Sequence, residues 1–526
     1  MNGAGAYGPD ASPKEPLAWA PFGPEAFGRA KKERKFIVLD GAAEWCHWCH
    51  VMESTTYHDG AVAALLQQHF VATKVDIDSR PDIEERYRAW GWPATVIFSP
   101  DGEELGKYRG YIAPDAFAAI LKAVVASQGS GPSDGARPGI AGAPVRVPDA
   151  PLPREMLAWA ARWAALELED HWDPNEGGWG VQPKVPIHGN TEFALRRAAR
   201  GDSTLREHAL TVLDKQRSII DPVWGGIYQY SVAPDWVHPH FEKLMEYNAG
   251  ALADYATAYV LTKDERWLRA ARDIDRYLRA FLIAPSGAFY GTQDADVNAH
   301  ERGKRFVDGH DYYRLGDVER RKLGIPRVDT NEYAKDSGLA IEAYVTLYEA
   351  TGDRSALAIA RRARTAVLRA HTVRSGAVAH AASAGEPKSG DAAKSGDDTT
   401  VLHLADNAAF GYALVRLYKV DRDASTLEAA KRIASFAVTE LLDRNEGGFF
   451  AHTEDPAAVG VFRLRRKPFS ENVLMLRFLH ELTKLAPDPA HTRALDKSVR
   501  YLTEPERIKD AGRFIGDYLS LLDAVL

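Results

Sequence analysis

Asp40-Gly41-Ala42-Ala43-Glu44-Trp45-Cys46-His47-Trp48-Cys49-His50 decides how the first part of this chain is read. It holds both cysteines of the 526 residues, so thiol chemistry within the chain is confined to one place. Ahead of it, Phe36-Ile37-Val38-Leu39 predicts a buried strand, and beyond Cys46 the pattern turns helical. A Cys-x-x-Cys pair between a buried strand and a helix N-terminus suits disulfide exchange, because the helix dipole and free backbone N–H groups stabilise a thiolate at the first cysteine. Cys46 is expected to attack and Cys49, the more buried of the two, to resolve.

The segment resembles thioredoxin beyond its two sulfurs. Asp40 lies six residues before Cys46, where thioredoxin keeps a buried carboxylate, and Ala43-Glu44-Trp45-Cys46 reads like thioredoxin's approach to its site. Trp92-Pro93-Ala94-Thr95, the apolar run 96–98 and the turn Pro100-Asp101-Gly102 resemble its cis-proline segment. The resemblance implies a cis bond before Pro93, a substrate groove shaped by that proline, and Asp40 accepting or relaying a proton near Cys49. His47, if protonated or hydrogen-bonding, stabilises the thiolate and makes the disulfide more oxidising; its bland alternative is a solvent-exposed histidine. Trp48 is expected to be exposed beside the sulfurs. Three other readings of the motif stand beside disulfide exchange: two inert buried thiols, a c-type haem attachment through Cys-x-x-Cys-His, and a metal held by Cys46, Cys49 and His50.

Cys46-His47-Trp48-Cys49-His50-Val51-Met52-Glu53, Lys74-Val75-Asp76 with Arg80-Pro81-Asp82, Pro239-His240-Phe241-Glu242-Lys243 and Asp294-Ala295-Asp296 resemble, in that order, the spermatogenesis-associated thioredoxin-like family. The resemblance implies a thioredoxin-like α/β domain fused to an all-α (α/α)6 toroid of the six-hairpin glycosidase and N-acylglucosamine 2-epimerase kind. There are departures. Leu244-Met245-Glu246-Tyr247-Asn248 follows the Pro-His-Phe-Glu-Lys block, with its acidic group moved by one position, and Lys107-Tyr108-Arg109-Gly110 continues as in an ordinary thioredoxin.

Composition fits a globular chain: 45% hydrophobic, 10% aromatic, with a net charge of -7 that argues against nucleic-acid binding. No apolar run reaches membrane-spanning length. Residues 1–16 lack both a basic and an apolar signal region, so the chain as written reads as cytoplasmic, or as periplasmic or secreted if a signal has been removed. The Gly/Pro/Ala/Ser-rich stretch 128–153 reads as a linker between a thioredoxin-like domain, 15–127, and the helical barrel, 154–526. A second such stretch, 381–400, reads as a long loop.

The helical part repeats itself. Asn248, Tyr259 and Leu268 are spaced as Ser337, Tyr348 and Leu357 are, and as Asn407, Tyr418 and Leu427 are; weaker echoes start at Asn190 and Asn472. Gly-aromatic turns fall between these sets at Gly178, Gly226, Gly287 and Gly448, with faint versions at Gly376 and Gly512. About six helical hairpins result, and the family likeness closes them into a ring. If each Asn or Ser begins an inner helix, the residues just before it share one barrel end. They include Lys184, His188, His238, His240, Glu242, Lys243, Glu246, Lys335, Asp336, His403, Asp406 and Lys467, with Trp236, Tyr230 and Trp179 nearby. Ionisable groups and aromatic rings around a barrel mouth suit a polyol ligand.

The expected ligand set is Trp236, His238, His240, Glu242, Lys243, Asp294, Asp296, Asp406 and Lys184. Asp294 and Asp296 read either as a general acid and base or as helix caps, and His238 to Lys243 either as a site or as a network closing the barrel end. His240 and His403 are candidates for the paired histidines that epimerases of this barrel class use. The leading expectation is a thiol–disulfide oxidoreductase acting on a protein thiol or disulfide through Cys46, Cys49, Asp40, Pro93 and His47, fused to a carbohydrate-binding barrel. No cofactor, metal, nucleic-acid partner or membrane span is expected. The alternatives are a glycoside hydrolase or sugar epimerase with an accessory thioredoxin domain, and a non-catalytic scaffold.

Overall fold

The computed structural model describes residues 17–127, 151–301, 303–382 and 401–526, divided between two compact units. Most of the expected linker and of the expected 381–400 loop lies outside the described residues. The first unit takes in residues 17–127 together with Asp455–Leu464. Its strands are β1 (Ala20–Pro21), β2 (Phe36–Ala42), β3 (Phe70–Asp76), β4 (Ala94–Phe98) and β5 (Glu104–Arg109), in the sheet order β1-β3-β2-β4-β5. β1 and β2 run parallel to β3, whereas β4 is antiparallel to β2 and β5 to β4. Central β2 is buried along nearly its whole length because helices cover both faces of the sheet, and it is apolar except at Asp40. Those helices are α1 (Pro24–Glu33), α2 (His47–Thr55), α3 (Gly60–His69), α4 (Pro81–Tyr87) and α5 (Pro114–Ala126). Val38, Met52, Leu66, Ile97, Phe117 and Leu121 form much of one core.

Asp455–Leu464 completes this unit's aromatic edge. The Phe462 ring lies 5.4 Å from Phe22 and 5.8 Å from Phe98, with the Arg86 guanidinium 5.1 Å from its centre. Arg86 Nη2 donates to the Leu464 carbonyl at 2.7 Å, and the Val461 N–H donates to the Gly102 carbonyl at 3.0 Å. Gly102 has φ +85° and lies against Gly460, where a Cβ would come within 2.8 Å of the Gly460 Cα, so the contact requires glycine.

The second unit is a closed helical barrel. In chain order its helices are α6 (Arg154–Asp170), α7 (His188–Ala199), α8 (Ser203–Gln216), α9 (Met245–Thr262), α10 (Glu265–Tyr277), α11 (Gly309–Tyr313), α12 (Asp317–Leu323), α13 (Ala334–Thr351), α14 (Arg354–Ala370), α15 (Leu404–Asp421), α16 (Ala424–Phe436), α17 (Phe469–Leu485), α18 (Pro489–Leu502), α19 (Pro505–Ala511) and α20 (Gly516–Val525). The inner ring runs α7, α9, α13, α15, α17, α20 and back to α7, each packed on the next. α8, α10, α14, α16 and α18 form the outer layer, and α6 packs outside α20, so the sixth hairpin joins the two ends of the unit. Among the described residues no helix is long and apolar enough to cross a membrane.

The repeat has a physical basis. Each inner-helix Asn turns its side-chain amide onto the backbone of a Gly-aromatic turn, as a strand partner would. Asn248 Oδ1 accepts from the Ile227 N–H and its Nδ2 donates to the Ile227 carbonyl; Asn407 does the same with Val378, and Asn472 with Phe449. Ser337 Oγ accepts from the Phe289 N–H, and Asn190 accepts from Gly516 and donates to the Arg513 carbonyl. The Tyr259, Tyr348 and Tyr418 carbonyls each accept from the left-handed residue that ends the helix, Lys263, Gly352 or Arg422. Asp264, Asp353 and Asp423 then cap the next helix.

Candidate functional site

Cys46 is the N-cap of α2 and forms a disulfide with Cys49, with a Cα–Cα distance of 5.2 Å. The Cys49 N–H points at Cys46 Sγ, 3.2 Å away, and so faces the sulfur on which thiolate charge would develop. Both residues are buried, Cys46 to 4% exposure and Cys49 to 7%, so the expected ordering of their burial does not appear. Trp48 is 42% exposed and tilts against Tyr111 at 5.8 Å; the His47 ring meets Trp48 edge-on at 5.5 Å. The His50 ring is 3.0 Å from the Glu44 carbonyl. The Trp92–Pro93 bond is cis, and Ala94 pairs with Gly41, which sets Pro93 at the sheet end from which the Cys46 loop leaves.

Asp40 stands in register between Lys74 on β3 and Thr95 on β4 and is 2% exposed. Burial pushes its carboxyl pKa up to about 6 against the pull of the Lys74 ammonium. Lys74 in turn bonds Glu53 on α2, and although burial opposes its charge, Asp40 and Glu53 hold its pKa above the usual value. A buried carboxyl that titrates near neutrality, on the strand leading into the disulfide, can take up or release a proton as a sulfur changes charge.

In the barrel, several residues expected at the mouth have other work. Lys184 Nζ bonds Asp173 at 2.5 Å and the Gly177 carbonyl at 2.8 Å; Lys243 Nζ bonds Asp221 and the Gly225 carbonyl, both at 2.8 Å; Lys467 Nζ bonds Asp443 at 2.8 Å and the Gly447 carbonyl at 3.1 Å. Lys184 and Lys243 are fully buried, and each locks a turn of the pattern Asp-x-x-x-Gly-Gly-aromatic or -aliphatic. Trp236 is buried against Gly178, with its indole N–H donating to the Glu176 carbonyl at 3.2 Å, so it is core and offers no stacking face. His238 is exposed beside Asp235, 2.8 Å away.

Four expected residues do come together. The short strands Lys243–Leu244 and Thr292–Gln293 pair, which sets the stretches carrying Glu242 and Asp294 side by side. His240 Nδ1 lies 2.8 Å from Glu242 and its ring stacks on Tyr230 at 4.7 Å. Asp294 Oδ1 accepts from the Asp296 N–H, a local turn bond, and Asp296 Oδ1 accepts from the Gly309 N–H at the start of α11, whose N-cap is Asp308; both distances are 2.9 Å. Asp406 belongs to a different group. It accepts from the Lys335 N–H at 2.9 Å and lies 3.0 Å from His380 Nδ1. Burial opposes its charge, yet His380 and His403 hold its pKa below the usual range. His403 faces His380 and His452 at 6.0 and 6.1 Å.

The sequence reading named His188 but missed its partner Asp254, and missed Glu192, Tyr412, Arg477 and Asp517, which cluster between inner helices. Their signal was a charge set inside an apolar helix, as in Gly250-Ala251-Leu252-Ala253-Asp254 and Leu474-Met475-Leu476-Arg477-Phe478.

The family model Thioredox_DsbH, described as a protein of unknown function, DUF255, matches residues 10–125. Spermatogenesis-associated protein 20 of Homo sapiens is 29% identical over 327 residues, covering 56% of this chain; the chain spans only 41% of that relative's length. A thioredoxin H-type of Fagopyrum esculentum is 35% identical over 88 residues, covering 16% of this chain and 70% of its own. Cellobiose 2-epimerase from Bacillus thermoamylovorans B4167 superimposes on 71% of this chain and 100% of its own with a TM-score of 0.52 at 10% identity, a likeness of fold alone. Through the unit that carries Cys46 and Cys49 the chain belongs to the thioredoxin family, here fused to a helical barrel with the fold of a sugar epimerase and related in sequence to spermatogenesis-associated protein 20.

Proposed function

We propose that the chain exchanges disulfides with a partner's thiols at Cys46 and Cys49, and that its barrel recognises a carbohydrate-class ligand. The observation that carries the first part is a disulfide at a helix N-terminus with Asp40, a carboxyl titrating near 6, on the strand beneath it. A partner thiolate attacks Cys46 Sγ, the Cys46–Cys49 bond breaks, and its electron pair leaves on Cys49. Protonated Asp40 neutralises that thiolate. The partner's second thiolate then attacks its own sulfur in the mixed disulfide and releases Cys46, so the partner is oxidised and the Cys46/Cys49 pair reduced. The reverse order reduces a partner's disulfide. Reduction of insulin by dithiothreitol, followed by turbidity, tests this: the full chain should accelerate it, Cys46→Ser should abolish the acceleration, and an equal rate with Cys46→Ser would sink the reading.

The carbohydrate part is supported by the barrel fold and by the histidine–carboxylate contacts His240–Glu242 and His380–Asp406, which suit hydroxyl recognition. Glycan turnover that survives Cys46→Ser would make the barrel an enzyme in its own right. The absence of both exchange and sugar binding would leave a scaffold.

A further inference from the structure

In the inner ring α20 lies between α17 and α7, so those two helices are not neighbours. A direct ion pair between them must run across the interior of the barrel. Arg477 on α17 makes that crossing: its Nη2 lies 2.8 Å from both Glu192 oxygens on α7. The same guanidinium bonds Asp517 on α20 and reaches the Tyr412 hydroxyl on α15 at 3.3 Å. One turn before Glu192, His188 Nδ1 lies 2.9 Å from Asp254 on α9. His188 fits against α9 only because Gly250 faces it, where a Cβ would come within 2.7 Å of the His188 Cβ. Side chains from five of the six inner helices therefore converge on the barrel interior.

Three features point to a ligand. An ion-paired interior is a poor way to stabilise a fold, since desolvating the charges offsets most of their attraction, and the flanking positions are filled by Leu, Ala and Phe. The cluster is also not sealed: the His188 and Asp517 side chains keep 31% and 42% of their exposure. Among the described residues, His188 Nε2 has no hydrogen-bond partner, so a donor is left over. Burial works against the His188 cation, yet Asp254, Glu192 and Glu342 outweigh it and push its pKa up to about 10, which keeps that donor protonated. The cations His188, Arg477, Arg196 and Arg416 are matched by the carboxylates of Asp254, Glu192, Asp517 and Glu342, with Arg196 bonded to Glu192 at 2.6 Å. A balanced set has little surplus charge to offer a phosphate or a metal ion, but many donors and acceptors for a neutral molecule.

We propose that this interior cluster is a binding site for a neutral, hydroxyl-rich ligand of the sugar class, with His188 Nε2–H donating to a ligand oxygen and the carboxylates accepting from its hydroxyls. The ligand class rests on the carbohydrate reading above; the location stands on the ion-pair geometry.

The test is NMR of the full chain with labelled histidine, with D-glucose, D-mannose and cellobiose as probes. A bound probe should shift the His188 imidazole signals, and His188→Gln should weaken binding at least tenfold. Without any probe, His188 should titrate above pH 8, and Asp254→Asn should bring that midpoint down. If His188→Gln fails to fold, the probe-induced shift in the wild-type protein decides. Binding that persists in His188→Gln but is lost in His240→Ala would overturn the interior location and leave the carbohydrate reading intact. Failure of all three probes to bind the wild-type chain would overturn both, and a His188 midpoint near the ordinary histidine value would refute the geometry.

Discussion

Asp40→Asn should stabilise the thioredoxin unit above pH 6 and leave it unchanged below about pH 3. The Asp40 carboxyl titrates near 6 in the folded chain against an ordinary value of 3.8, a shift of about two units. At about 1.4 kcal/mol per unit, the ionised group costs the fold about 3 kcal/mol. The sign follows from the direction of the shift. Below the unfolded value both states are protonated and no cost exists. Between 3.8 and 6 the unfolded chain ionises first, so stability falls as pH rises, and above 6 the full cost is present. Asparagine resembles the protonated carboxyl and removes the cost. Hydrogen exchange of the β2 and β4 amides, corrected for intrinsic rates, reads it locally: at pH 8 exchange in Asp40→Asn should be slower by about a hundredfold. Equal protection at pH 8, or a difference that persists at pH 3, would refute the burial argument. The same substitution should remove an inflection near pH 6 from the exchange rate at Cys46, at an expense in activity that explains why an unstable group is kept there.

Phe462→Ala should cost the thioredoxin unit about 2 kcal/mol through lost ring contacts with Phe22 and Phe98, read as faster exchange in β4 with no change in α13; unchanged β4 protection would detach the segment from that core. Lys184→Met should lower the melting temperature more than Lys243→Met. Removing Lys184 leaves Asp173 buried without its cation, worth about 3 kcal/mol, whereas Asp221 keeps Arg320 at 2.7 Å when Lys243 is removed. Equal shifts of the two melting temperatures would show that Arg320 does not substitute for Lys243.

What the sequence made legible was local. The Cys46–Cys49 pair, the buried Asp40 and the hairpin spacing of Asn248, Ser337 and Asn407 are each set by contacts along one or two neighbouring elements. The illegible parts depend on distant partners. Lys184, Lys243 and Lys467 look like site lysines until each is paired with an Asp 11, 22 or 24 residues upstream, which requires reading the Asp-x-x-x-Gly-Gly turn as one motif. Phe462 carries no local sign that it belongs with Phe22 and Phe98, and the Arg477–Glu192 pair joins residues 285 apart.

The distinction between local and distant signals also bears on how the domains can be studied. Linker composition at 128–153 suggests that the redox part can be cut free near residue 127. Because Asp455–Leu464 belongs to the same compact unit, a fragment of that kind would lose Phe462, Val461 and the carbonyl of Leu464 together. Phe22, Phe98 and Tyr87 would then present an uncovered aromatic edge, and apolar patches of this kind promote association. The redox chemistry of Cys46 and Cys49 is therefore best measured in the full chain. Loss of activity in a 17–127 fragment would report the missing edge before it reported anything about the disulfide, and adding the 455–464 segment back as a peptide would separate the two effects.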